Sequence, residues 1–156
     1  MAASSTAAAF AVALKTALVT RFNGAPWNGT VQVDLVPTAD TTTVDRVTLI
    51  RAPTGVEGYQ QPATMGKRRV DTYRIQGRIN TFANDPDTDV AFQASWDRAA
   101  LILDEVVLQL RDNQTLSGDE TQHNLVGEIR YMPAPDERGG WHTLCDYTLE
   151  YAQIVS

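Results

Sequence analysis

The stretch NDPDTDVAFQASWDRAALILDEVVLQLRDN, residues 84–113, decides the fold because it carries the strongest helical pattern in the chain. Asp85 is predicted to cap the helix, with Pro86 at its first position, where the missing N–H costs nothing. A helix with one apolar face has to be covered, since each large side chain contributes about 1.5–3 kcal/mol when it is buried. The predicted stripe consists of Phe92, Trp96, Ala99, Leu103, Val106 and Leu110.

A second helix and five strands are predicted around this element. Helical spacing, with Ser4 or Ser5 as the N-cap, continues until Asn23-Gly24 ends the helix, and its apolar residues are Phe10, Leu14, Ala17, Leu18 and Phe22. Alternation of apolar and polar residues predicts strands at about 30–36, 46–52, 70–82, 123–132 and 141–155.

The predicted order of elements is therefore α-β-β-β-α-β-β. This order favours one α+β domain over residues 1–156, in which two helices pack on one face of a largely antiparallel, two-layer sheet. Long loops are predicted at about 53–69 and 112–122, where Pro, Gly and polar residues interrupt the periodicity.

Composition narrows the class of protein. Hydrophobic residues at 43% and charged residues at 21% are typical of a soluble globular protein rather than a disordered or membrane-spanning one. The apolar run Ala7–Leu14 lacks a basic leader and is followed by Lys15 and Arg21, so neither secretion nor membrane insertion is expected. The single cysteine, Cys145, cannot form an internal disulfide and is compatible with a reducing cytoplasm.

The search for chemistry predicts that the chain is not an enzyme and has no catalytic, cofactor-binding or metal-binding residues. The sequence ATMGKRR lacks the spacing of a phosphate-binding loop, and His123 and His142 fall on separate strands without ligand spacing. Ser95 lacks a nucleophile-elbow motif. Cys145 falls on the apolar face of its strand, where a buried small hydrophobe is the expected role.

A basic stretch, MGKRRVDTYRIQGRI at residues 65–79, stands out from a chain of net charge −6. Residues 67–78 carry a net charge of +4, which leaves −10 for the rest of the chain. Strand alternation places Arg74 and Arg78 on the polar sheet face, where they pair with carboxylates on neighbouring strands or contact another protein; the candidate carboxylates are Asp34, Glu128, Asp146 and Glu150. We predict an interface formed by Tyr59, Met65, Lys67, Arg68, Arg69, Arg74 and Arg78.

The order of elements resembles that of the tail terminator and tail-completion proteins of long-tailed bacteriophages. The similarity rests on ALKTALVTRFNG leading to a first strand, the extended segment before VDTYRIQGRI, the helix DVAFQASWDRAALILDEVVLQLRD and the aromatic closing strand LCDYTLEYAQIV. It covers nearly the whole chain and rests on element order rather than on one diagnostic motif.

The resemblance implies a structural subunit of a ring, typically a hexamer, in the virion tail, assembled in the host cytoplasm. Such a ring caps the tail tube, stops its polymerisation, contacts the tail tube protein and a head or neck connector protein, and lets DNA pass its lumen without specific binding. Two alternatives stay open: a head-closure or tail-tube protein of the same assembly, and a small nucleic-acid-binding module that uses residues 67–78. The low sequence pI near 4.8 argues against the nucleic-acid-binding module.

Overall fold

The computed structural model describes residues 3–37, 45–51, 57–60, 69–112, 121–136 and 139–155. Two helices and six strands follow one another along the chain: α1 (Ala3–Asn23), β1 (Val31–Asp34), β2 (Asp45–Thr48), β3 (Glu57–Gln60), β4 (Arg69–Ala83), α2 (Thr88–Asp112), β5 (Thr121–Pro135) and β6 (Trp141–Val155). The predicted α+β class and the order of its seven elements are confirmed, and β3 is an addition to them.

The six strands form one mixed sheet: five follow the order β1-β2-β4-β6-β5, and β3 lies off this path and pairs with β4. All pairings are antiparallel except β1 with β2, which run parallel, with Val33 opposite Val47. The prediction of one uninterrupted loop at 53–69 is wrong at two places, because Glu57–Gln60 forms β3 and β4 already begins at Arg69. Antiparallel pairing of β3 with Arg74–Asp71 of β4 satisfies backbone groups that a loop would leave to solvent.

Helix α1 packs on the sheet through an aromatic stack. The ring of Phe10 lies 4.3 Å from that of Tyr151 at an interplanar angle of 12°, and Tyr151 in turn stacks on Tyr73. The predicted apolar stripe is confirmed except at Ala17, which is only half-buried; the buried residues are Phe10, Ala11, Leu14, Leu18 and Phe22. Because the helix already includes Ser4 and Ser5, the predicted N-cap there is wrong.

Helix α2 begins two residues later than predicted. Asp87, not Asp85, caps it: Oδ1 of Asp87 accepts hydrogen bonds from the backbone N–H groups of Asp89 and Val90, at 3.0 and 3.4 Å. Pro86 lies in the preceding bend rather than in the first turn. A carboxylate at this position satisfies N–H groups that have no partner within the helix.

The buried face of α2 is also rotated relative to the prediction. Ala99, Leu103, Val106 and Leu110 are buried as expected, and Ala91, Ser95 and Ile102 complete the face. Phe92 is 38% exposed and Trp96 is half-buried, so the placement of these two aromatics in the core stripe is wrong. Small side chains at 91 and 95 let the helix approach the sheet closely, which turns the large rings to the side.

Polar contacts tie α2 to the sheet at its N-terminal half. The hydroxyl of Thr81 in β4 donates to the carbonyl oxygen of Ser95 at 2.6 Å, and the hydroxyls of Ser95 and Thr143 lie 2.8 Å apart. Nearby, the guanidinium of Arg98 makes two 2.9 Å hydrogen bonds to the carboxylate of Asp45 at the start of β2. Three strands are thus connected to one helix by polar groups that satisfy each other's hydrogen bonds.

A glycine in the middle of β4 accommodates one of the buried tyrosine rings of the core. Gly77 lies directly opposite Tyr147 of β6, and the Tyr147 ring, 2% exposed, covers the position that a side chain would occupy. A Cβ atom on Gly77 would lie 2.3 Å from Cζ of Tyr147. The ring can therefore lie across the strand only because residue 77 has no side chain.

Candidate functional site

The basic strand predicted from sequence is β4, and two of its arginines lie on the sheet face opposite the helices. Arg74 is directly opposite Glu150 in the β4–β6 register, and its Nε lies 3.2 Å from Oε2 of Glu150. Both side chains are partly exposed, at 48% and 31%, so water screens this pair. Of the two roles that the sequence allows for Arg74, pairing with a carboxylate on a neighbouring strand is present.

Arg78 takes part in a more buried group on the same face. Its guanidinium makes two hydrogen bonds to the carboxylate of Asp146, at 2.6 and 3.1 Å, in the fork geometry that arginine favours. Arg51 binds the same carboxylate at 3.1 Å and also donates to Oε1 of Gln76 at 2.7 Å. The hydrogen bond to Asp146 raises the pKa of Arg78 above its ordinary value. These arginines are consequently engaged by carboxylates within the subunit.

Of the other predicted interface residues, the structure describes the backbones of Tyr59 and Arg69. Met65, Lys67 and Arg68 lie outside the described residues. The backbone of Tyr59 pairs with Thr72 in β3, and the backbone of Arg69 pairs with Val155 at one end of the sheet. Of the predicted interface, the structure thus shows the side chains of Arg74 and Arg78 on the sheet face and only the strand backbone of Tyr59 and Arg69.

A surface that the sequence did not predict lies at the other end of the sheet. The rings of Trp96 and Tyr131 stack at 4.8 Å, the rings of Phe92 and Trp96 lie 5.9 Å apart, and Trp141 meets Phe92 edge-on at 5.6 Å. We call these four residues the aromatic surface. It covers the side of α2 that faces the edge strand β5, and none of its four rings belongs to the fully buried core.

An open cavity of about 540 Å³ adjoins the aromatic surface on α2. It is lined by Asp89, Phe92, Gln93, Trp96 and Asp97. Two carboxylates thus flank two partly exposed rings. Apolar ring faces beside anionic oxygens are suited to a cationic, flat or amphipathic group rather than to an anion. The sequence does contain a signal for this surface, because Phe92 and Trp96 share one side of the helix with the polar residues Asp89 and Gln93. The prediction from sequence instead places the two rings in the core because they are large and apolar.

The two candidate nucleophiles considered in the sequence, Ser95 and Cys145, lie in the interior. Ser95 is fully buried with its hydroxyl on Thr143 and on the carbonyl of Phe92. Cys145 is fully buried, which confirms its prediction as a small core residue. Burial raises the pKa of Tyr131 to about 12. Within the described ranges, no group of three or more His, Cys, Asp or Glu residues has the geometry of a metal site.

The Cys145 thiol is expected to resist modification in the native state. Burial raises its pKa to about 11, so at pH 8 the reactive thiolate fraction falls well below that of a free cysteine. We expect the thiol reagent DTNB to react with native protein at least about 100-fold more slowly than with a free thiol. In guanidinium chloride the reagent should titrate one thiol per chain. Rapid reaction without denaturant would contradict the buried position.

Neither described helix is long and apolar enough to cross a membrane. The comparison with known protein families gives no match, and the comparison with curated proteins gives none either.

Proposed function

We propose that this chain is the subunit of a ring that caps the tail tube of a long-tailed bacteriophage, ends tube polymerisation and joins the tail to the head. The observation that carries the proposal is the aromatic surface, in which four neighbouring rings lie partly exposed on α2, β5 and β6. Aromatic side chains are enriched at protein interfaces, and an aromatic patch rimmed by polar residues marks a contact site. The element order on which the resemblance to tail terminators rests is present in the fold.

The charge distribution supports a ring that DNA traverses without binding. The chain has a net charge of −6, so several copies around a lumen repel phosphate. Two arginines of the basic strand, Arg74 and Arg78, are held by Glu150 and Asp146 of the same subunit. These two arginine side chains are therefore less available to neutralise DNA phosphates than their place in the basic stretch of the sequence suggests.

The oligomeric state tests this proposal. Light scattering of the purified chain over a concentration series is expected to give a mass of several subunits, and negative-stain images are expected to show rings with a central hole. A monomer at every concentration, with no rings on the grid, would rule the proposal out.

The same preparations distinguish the alternatives. Long tubes in the images would assign the chain to the tail-tube protein class instead. Titration with fluorescent double-stranded DNA at low ionic strength is expected to give no binding. A salt-sensitive complex that is lost on charge reversal of Lys67 and Arg68 would favour the nucleic-acid-binding module.

A further inference from the structure

The cavity beside the aromatic surface lies in the most acidic part of the described chain. Residues 84–97 contain four aspartates and no lysine or arginine. Asp87 caps α2, whereas the carboxylates of Asp89 and Asp97 line the cavity beside Phe92 and Trp96. We call this the acidic aromatic groove, formed by Asp89, Phe92, Gln93, Trp96 and Asp97. Its negative charge and exposed ring faces together suit a guanidinium or an ammonium group.

We propose that the acidic aromatic groove of one subunit binds the basic segment Lys67-Arg68-Arg69 of a second copy of this chain. This inference rests on the ring assembly proposed above, and it names the contact that builds the ring. Three consecutive cations complement the carboxylates of the groove, and arginine also stacks on aromatic rings. Attraction of opposite charges of this kind guides association and sets the orientation of the partners.

The fold places the start of β4, which directly follows Lys67 and Arg68 in the chain, and the groove at opposite ends of the sheet. Arg69 begins β4 and pairs with Val155, whereas Ala83 ends β4 and pairs with Trp141, whose ring contacts Phe92. The 15 residues of β4 span about 46 Å at about 3.3 Å per residue. Lys67 precedes the strand by two residues, which reach at most about 7 Å. The basic segment therefore cannot enter the groove of its own subunit.

Strand pairing between the outer β5 edges of two copies is a less suitable way to join them. Strand β5 pairs with β6 alone among the described strands, so its outer edge is the nearest alternative surface. Pro133 and Pro135 lack N–H groups, and an irregularity between Val126 and Arg130, with Gly127 at φ 70°, interrupts its ladder. Natural edge strands use these features to prevent sheet extension. A side-chain contact in the groove avoids that edge.

The proposed contact is head-to-tail, because two different surfaces of the same chain meet. Such contacts form closed rings when the rotation between neighbours closes, whereas contacts between two identical surfaces stop at a dimer. Each subunit would contribute one groove and one basic segment. Each subunit thus carries two different surfaces, one acidic and one basic, as a head-to-tail ring requires.

Charge reversal on each partner tests the contact. The groove variant combines Gln93→Lys with Asp97→Lys and leaves the helix cap intact. The segment variant combines Lys67→Glu with Arg68→Glu. Each variant alone places like charges in contact and is expected to raise the subunit dissociation constant at least about tenfold, measured by sedimentation. Glu128→Lys is the matched control, because Glu128 is an exposed acid in β5 that does not line the groove, and this variant should assemble like the wild type.

Mixing provides the decisive outcome. An equimolar mixture of the groove and segment variants offers two complementary contacts, unchanged segment to unchanged groove and reversed segment to reversed groove, so it should form rings in which the two variants alternate, whereas each variant alone should not. A chain carrying all four substitutions should assemble into rings again. Unchanged thermal unfolding of each variant shows that the fold is intact. If wild-type rings form and both variants still form them, the groove contact is overturned while the ring proposal stands. If the wild type is monomeric, the ring proposal fails and the groove contact fails with it.

Discussion

Replacing Gly77 with valine is expected to lower the free energy of unfolding by about 3 kcal/mol, although strand propensity alone favours valine. A Cβ atom at this position would lie 2.3 Å from Cζ and 2.4 Å from Oη of Tyr147. The tyrosine cannot swing aside, because it is 2% exposed and lies between the sheet and the helices. Either the backbones of β4 and β6 separate or the ring is forced from its place, and both lose core contacts.

Chemical denaturation of Gly77→Val and of Gly24→Ala measures this effect against a matched control. A Cβ atom on Gly24 would lie 3.5 Å from its nearest neighbour, the carbonyl oxygen of Arg21, which is an ordinary contact distance. Gly24→Ala is therefore expected to leave stability within about 1 kcal/mol of the wild type. A Gly77→Val protein as stable as the wild type would show that Tyr147 does not cover residue 77.

Phe10→Ala is expected to lower the free energy of unfolding by about 3–5 kcal/mol. The Phe10 ring is fully buried, and it stacks on Tyr151, which is also fully buried. Removing the ring leaves a cavity between α1 and the centre of the sheet. Helix α1 contacts α2 at few points, so the stack is a principal anchor of its N-terminal half.

Val12→Ala supplies the control for Phe10→Ala, since Val12 lies two residues further along the same helix and is 51% exposed. Its expected effect is below about 0.5 kcal/mol, as for other surface substitutions. The midpoint of urea denaturation, followed by circular dichroism, measures both variants. Equal midpoints for the two would mean that α1 does not pack through Phe10.

The two helices and the long strands could be predicted because their signals are local. The stripe from Phe10 to Phe22 repeats every three or four residues, and the last strand alternates apolar and polar residues from Cys145 to Tyr151. In each case periodicity and burial favour the same structure. Prediction of β3 failed because four residues between glycines and prolines carry too little periodicity, and their pairing with β4 is a tertiary contact.

The aromatic surface was missed because the sequence does not reveal how closely a helix approaches its sheet. Ala91 and Ser95 look like weak core residues beside Phe92 and Trp96. In the fold the small residues face the strands, and the hydroxyl of Ser95 finds a partner in Thr143, which no local pattern indicates. The parallel pairing of β1 and β2 and the contact of Arg98 with Asp45 depend in the same way on residues distant in sequence.

The close fit of Tyr147 on Gly77 also determines which alignment of β4 against β6 can form. A slip by two residues preserves the alternation of apolar and polar faces, so hydrophobic patterning does not reject it. A slip by four residues in one direction would place Arg78 opposite Glu150, so ion pairing does not reject it either. Each of these misalignments places Tyr147 opposite a residue with a side chain, such as Ile75, Ile79 or Thr81. A single missing Cβ atom thus selects one alignment among several that the two 15-residue strands would otherwise find acceptable.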